Sequence, residues 1–278
     1  MKKTSKRTSA VSRRKADSRS RQPKVAARSR VKAVEALTYP TYLSLDKLLS
    51  LQETKSDAGY ADELLFIVVH QSSELWFKVL LNDLEVVQHA LERHDGGLAL
   101  WQLHRVNGLM RIVSAQLTSL ALLPPQRFAA FRASLGTSSG SQSVQFRTLE
   151  AASGLREKWF VDLLKSQGPI PKPVQVWLDR LPLQDVFLRF LEKEGVALEQ
   201  LYLGPGPSIA FFVAEALLEY EMAFASWRFL HAQLVERMLG PGTTGTGGSQ
   251  GASFLHRTTS IRFFPKLAEV RARFYVSR

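Results

Sequence analysis

Two of the six histidines in this chain sit in company that suits chemistry better than solvent. The stretch WRFLHAQLVERMLG (227–240) sets His231 after Phe224 and Trp227 and before Leu234, Val235 and Met238. At helical spacing these residues form one apolar stripe. A histidine there is either a core imidazole bonded to a backbone carbonyl or a neutral imidazole exposed in an apolar wall, the form in which a haem iron takes its proximal ligand. His70 follows Phe66 by four residues, so the pair shares a helix face. That face is either packed core or an aromatic wall carrying one hydrogen-bonding group inside an apolar pocket. His89, His94, His104 and His256 lie beside charged or polar neighbours and read as surface or capping residues.

Two further features invite a ligand. In FAAFRASL, Phe128, Arg132 and Leu135 stand at i, i+4 and i+7, which predicts a single helical stripe with an arginine at its centre. A guanidinium cannot be deprotonated, so it either snorkels to water, pairs internally or meets an anion. A small-molecule carboxylate matches its planar fork. The loop GPGTTGTGGSQG (240–251) has no lysine after its glycines and no strand before them, which excludes a phosphate-binding loop and a dinucleotide fingerprint. It is either a flexible linker or a lid closing backbone and threonine hydroxyls over a ligand.

The elements that must position these residues are helical. DELLFIVVHQSSELWFKVLLNDLEVVQHALERH (62–94) repeats apolar residues every three or four positions, with acids at its start and Arg and His at its end. Gly96-Gly97 is expected to end it. A second helix is expected over about 98–121, and Pro124-Pro125 opens a short third, since proline is tolerated in a first turn. GTSSGSQS (136–143) reads as a loop before a helix from about 144. Shorter helices broken by GPIPKP and GPGP precede a long helix from Ser208 to Leu239, and one or two more close the chain. No strand-like alternation or internal repeat is present. The fold class is all-α, a helical bundle.

Composition narrows the chemistry. The 278 residues contain no cysteine, which excludes disulfides, thiolate metal sites and thiol catalysis. The longest uninterrupted apolar run, LLFIVV, is far below the roughly 20 residues of a membrane span. A net charge of +12 suggests a polyanion binder, but all the excess lies in residues 1–32, which hold 13 of the 37 basic residues and one of the 25 acids, Asp17. Such a segment buries too little surface to offset its ordering entropy, so 1–33 is expected to be a disordered basic extension and 34–278 the globular domain. The tail reads as a solvated arm, a polyanion-binding arm or an organelle transit peptide.

Four blocks, DELLFIVVHQSSELWFK, LGTSSGSQSVQFRTLE, WRFLHAQLVERMLG and GTGGSQGASFL, together and in this order resemble the tryptophan 2,3-dioxygenase family from about Tyr39 to the C-terminus. The resemblance implies an all-helical homotetramer with one haem b per subunit, ferrous when active. It would cleave the indole C2–C3 bond of L-tryptophan with O2 to give N-formyl-L-kynurenine in the cytoplasm, with no membrane partner. The alternative is a haem oxygenase of the same fold acting on another indole. By carry-over, His231 matches the proximal iron ligand and Ser139 with Gly140 a pair at the haem edge. His70 matches the distal histidine that accepts the indole N–H. Phe66 matches the wall against the indole, Arg132 the grip on the carboxylate, Phe128 and Leu135 its apolar neighbours, and Thr246 the lid threonine on the ammonium. Tyr39 and Tyr42 match aromatics that reach a neighbouring subunit's pocket. The chain departs from the family pattern at Ser141, where an aromatic is usual, and at Leu230, Ser249, Gln250 and Ala268.

Overall fold

A computed structural model describes residues 37–56, 60–203, 206–243, 245 and 251–276. Residues 1–33 and Thr246, to which the sequence assigns a basic extension and an ammonium contact, lie outside the described residues, as do Ser249 and Gln250. The chain divides between Leu48 and Leu49 into two compact units. The first contains α1 (Tyr39–Leu43) and α2 (Leu45–Leu48). Pro40 occupies the first turn of α1, the Thr38 amide donates to Thr41 Oγ1 at 2.9 Å, and Ser44 ends the helix in a left-handed conformation (φ 51°). Tyr39 and Tyr42 are exposed.

Among its described residues the second unit contains helices and no strand. Its frame is α3 (Tyr60–Glu92), α4 (Gly96–Leu117) and α11 (Ile209–Leu239). Between them run α5 (Pro125–Arg132), α6 (Val144–Ser153), α7 (Lys158–Ser166), α8 (Lys172–Asp179), α9 (Leu183–Lys193) and α10 (Gln200–Leu203). The chain closes with α12 (Gly251–Thr258) and α13 (Pro265–Val276). α4 packs on both α3 and α11, α12 on α11, and α6 on α3 and α8. Each long helix buries an i, i+3/i+4 ladder: Leu80, Leu84, Val87 and Leu91 on α3, then Leu103, Val106, Met110 and Val113 on α4. α11 supplies Val213, Leu217, Tyr220 and Phe224. That spacing is the seam a bundle requires. An apolar 18-residue window makes α3 long and apolar enough to cross a membrane. The helix nevertheless carries Glu63, Glu74, Asp83 and Glu85, and one face of it is built into the core.

Two expectations are corrected. Gly96-Gly97 does not end α3; it opens α4. α3 stops at Glu92, His94 turns the chain in a left-handed conformation (φ 63°), and Asp95 caps α4 by accepting from the Leu98 amide at 2.8 Å. Gly96 is packed closely: a Cβ there would meet Phe190 at 3.0 Å and Ile209 at 3.2 Å. Nor do Phe128, Arg132 and Leu135 share one α-helical stripe. α5 ends at Arg132 and residues 133–135 tighten into a 3-10 turn before Gly136 (φ 56°). The tighter winding rotates Leu135 away from the i+7 position. It still packs on the cluster of Leu123, Phe128 and Phe131.

Candidate active site

α3 presents Phe66, His70, Ser73, Glu74 and Phe77 to one cavity of about 770 Å³, the i, i+4, i+7, i+8, i+11 face of a helix. His70 Nδ1 lies 2.7 Å from the Phe66 carbonyl oxygen. A carbonyl only accepts, so Nδ1 carries the proton and Nε2 keeps a bare lone pair. Burial lowers the proton affinity of His70, opposed by the Phe66 carbonyl and the Glu74 charge. The ring is therefore a neutral acceptor near pH 7, 4.1 Å from the Phe66 ring, centroid to centroid.

α5 adds an aromatic box. The Phe66 ring lies 5.7 Å from both Phe128 and Phe131, and these two meet edge-on at 5.3 Å. Phe128 lines the cavity, while Phe131 backs it from full burial. Arg132 and Leu135 are half-buried and are not among the cavity-lining residues. Thus Phe66, His70, Phe128, Ser139, Gly140 and His231 share one cavity, whereas the predicted carboxylate grip lies off its wall.

α11 supplies Trp227, Arg228, His231, Leu234, Val235 and Met238. His231 stacks on Trp227 at 5.2 Å, and Trp227 stands 4.8 Å from Phe146 and 6.1 Å from Phe77. Its imidazole makes no hydrogen bond among the described residues, which removes the reading of a satisfied core histidine. Burial, with the charge His70 would carry adding to it, pushes His231 down to about 4. The ring is enclosed by protein yet keeps part of its surface on the cavity. A neutral, unbonded imidazole in an apolar wall fits an iron ligand. Gly140 fits the same use: it lines the cavity, and a Cβ there would meet no atom within 4 Å. Among the described residues no packing calls for a glycine at that point.

The loop carrying Ser139 and Gly140 is tied to α3 and α6. Glu74 accepts from Ser143 Oγ at 2.5 Å and from Gln145 Nε2 at 2.8 Å. Ser141, at the position where the sequence departs from its pattern, has its hydroxyl 3.0 Å from Ser139 Oγ. Its carbonyl accepts from Arg147 Nε at 3.3 Å. Sequence reasoning missed the group behind this loop, the buried trio Arg147, Glu150 and Arg228, which lines the same cavity. The only local signals were an Arg–Glu spacing of three on α6 and an arginine three residues before His231. His94 and His256, expected at the surface, are half-buried and lie 3.8 Å from Glu194 and 3.2 Å from Glu236. His89 and His104 are exposed.

The profile of a family described as tryptophan 2,3-dioxygenase matches residues 24–165. A protein named tryptophan 2,3-dioxygenase from an Anaeromyxobacter species is 37% identical over 256 residues, covering 85% of this chain and 96% of that one. The protein of the same name from Anaeromyxobacter dehalogenans is 36% identical over 258 residues, covering 85% and 96%. That from Herpetosiphon aurantiacus is 34% identical over 259 residues, covering 86% and 98%. With that identity sustained along nearly the whole length of its relatives, over the helices that carry both cavity histidines, the chain belongs to the tryptophan 2,3-dioxygenase family.

Proposed function

We propose that this protein cleaves the indole C2–C3 bond of L-tryptophan with dioxygen, adding one oxygen atom to each carbon, to give N-formyl-L-kynurenine. The observation that carries the reading is a pair of neutral imidazoles, His70 from α3 and His231 from α11, lining one aromatic cavity. His231 would hold the iron of haem b, with Ser139 and Gly140 beside its edge. Bound ferrous haem supplies the dioxygen chemistry, which belongs to the cofactor rather than to the chain. Phe66 and Phe128 hold the indole ring by apolar contact and exclude water. The bare Nε2 of His70 accepts the indole N–H, fixing which edge of the ring faces the oxygen. Arg132 grips the substrate carboxylate, with Leu135 beside it and Thr246 on the ammonium. Support for Arg132 is its place one helical turn after Phe128, on the same side of α5.

The exposed Tyr39 and Tyr42 complete a neighbouring subunit's pocket in a homotetramer, and the enzyme works in the cytoplasm. Residues 1–33 form a basic extension outside the catalytic domain, with the capacity to bind polyanions. Product identification by mass, after the ferrous holoprotein is mixed with oxygen and L-tryptophan, tests the whole reading. A product heavier than substrate by two oxygen atoms, both labelled from ¹⁸O₂, is expected. A single added oxygen, or turnover only with another indole, would replace it with the alternative activity.

A further inference from the structure

Behind the loop at Ser139–Ser141, two guanidinium groups share one buried carboxylate. Arg147 Nη1 donates to Glu150 Oε2 at 2.5 Å, and Arg228 Nη2 donates to Glu150 Oε1 at 2.7 Å. The Arg228 and Glu150 side chains are 3% and 2% exposed, and that of Arg147 is 10% exposed. Arg228 also donates to the Thr258 carbonyl at 3.2 Å and lies over the Phe224 and Phe263 rings, leaving its Nε without a partner. Of the remaining carboxylates on the cavity wall, Asp162 pairs with Lys158, and Glu74 accepts from the neutral Ser143 and Gln145 without an ion pair to either arginine of the trio. The trio therefore carries one positive charge more than it neutralises. An uncompensated buried charge costs several kcal/mol unless an anion meets it.

The trio lines the same cavity as His231, and ring contacts link the two. His231 stacks on Trp227, Trp227 packs on Phe146, and the Arg147 guanidinium lies 5.6 Å from the Phe146 centroid. A ligand suited to this wall has a flat apolar body for the aromatics, a metal for the imidazole and an anionic edge for the guanidinium. We propose that Arg147, held by Glu150 and Arg228, receives an ionised carboxylate of the porphyrin. The inference rests on the haem reading of His231. It separates two carboxylate sites, one for the cofactor at Arg147 and one for the substrate at Arg132. The cofactor is favoured at Arg147 because this arginine lies beside the loop at Ser139 and Gly140, whereas the Phe66–Phe128 box lies on α3 and α5.

The test titrates the haem-free protein with iron protoporphyrin and with its dimethyl ester, following the Soret band. Esterification removes both charges and keeps the ring and the iron. The parent protein should bind the free acid about 10- to 100-fold more tightly, the range for losing a charge-assisted hydrogen bond. Arg147→Met should close most of that gap by weakening the free acid alone, and Arg147→Lys should restore part of it. A gap equally wide in Arg147→Met would overturn the inference. So would unchanged porphyrin binding combined with a raised KM for L-tryptophan, which would assign the trio to the substrate. Equal binding of acid and ester by the parent protein overturns it without any variant that must fold, and leaves the haem reading standing. Failure to bind either porphyrin overturns both.

Discussion

Acidifying the haem-free protein from about pH 7 to about pH 4 should cost it about 2–3 kcal/mol of stability through His231 alone. Burial, reinforced by His70, holds this imidazole down to about 4, against an ordinary 6.5. The unfolded chain takes up the proton as pH falls through 6.5, whereas the folded chain does so only near about 4. Above the upper value both states are neutral and the residue contributes no pH dependence. Within the window only the unfolded state gains the proton, so unfolding becomes easier with each step down. Below the lower value the penalty is complete. The gap of about 2.5 units corresponds to about 3.4 kcal/mol at 1.36 kcal/mol per unit. Water reaching the cavity side of the ring screens part of the charge, which reduces this to the smaller figure. Urea unfolding at about pH 7, 5.5 and 4, followed by tryptophan fluorescence and extrapolated to water, gives the parent's pH slope. His231→Leu removes the titrating group and keeps an apolar side chain on the wall, so its slope should be shallower by the amount above. Equal slopes in the two proteins would refute the reasoning, and a steeper slope in His231→Leu would refute even its sign.

In the holoprotein, His231→Leu should abolish the Soret band, because it removes the sole protein ligand assigned to iron; full haem occupancy would sink that assignment. His70→Ala should keep the Soret band and lower kcat/KM about 2- to 13-fold, the equivalent of one neutral hydrogen bond of about 0.5–1.5 kcal/mol. Arg132→Leu should cost about 2–5 kcal/mol in kcat/KM for L-tryptophan. It should spare haem content and add little to the slow turnover of tryptamine; an equal loss with both substrates would make Arg132 a structural residue. Gly251→Ala puts a Cβ 2.3 Å from the Thr243 carbonyl oxygen at φ +61°. It should lower stability by at least about 1–2 kcal/mol, read as a shift in urea midpoint at constant m-value.

Sequence alone determined what depends on near neighbours along the chain. Helical periodicity, proline at Pro125, the Ser208 cap and the stop at Gly240 act within a few residues, and the long helices appear where the pattern puts them. The spacing of four between Phe66 and His70 likewise fixed their shared face. The motifs of the four blocks, in order, carried the family.

Tertiary structure decided what distant elements do to each other. Phe190 and Ile209 close tightly on Gly96, and neither is visible from a local pattern that reads two glycines as a helix end. Leu135 left its stripe when the last turn of α5 tightened, and Arg132 came to lie off the cavity wall. Glu150 was not singled out in sequence, yet it is buried against an arginine 78 positions away. Its charge is tolerated because Arg147 from its own helix and Arg228 from α11 both donate to it. The depressed proton affinity of His231 has the same origin. Residue type sets its starting value, but burial of the ring is a property of the assembled helices and of none of them singly.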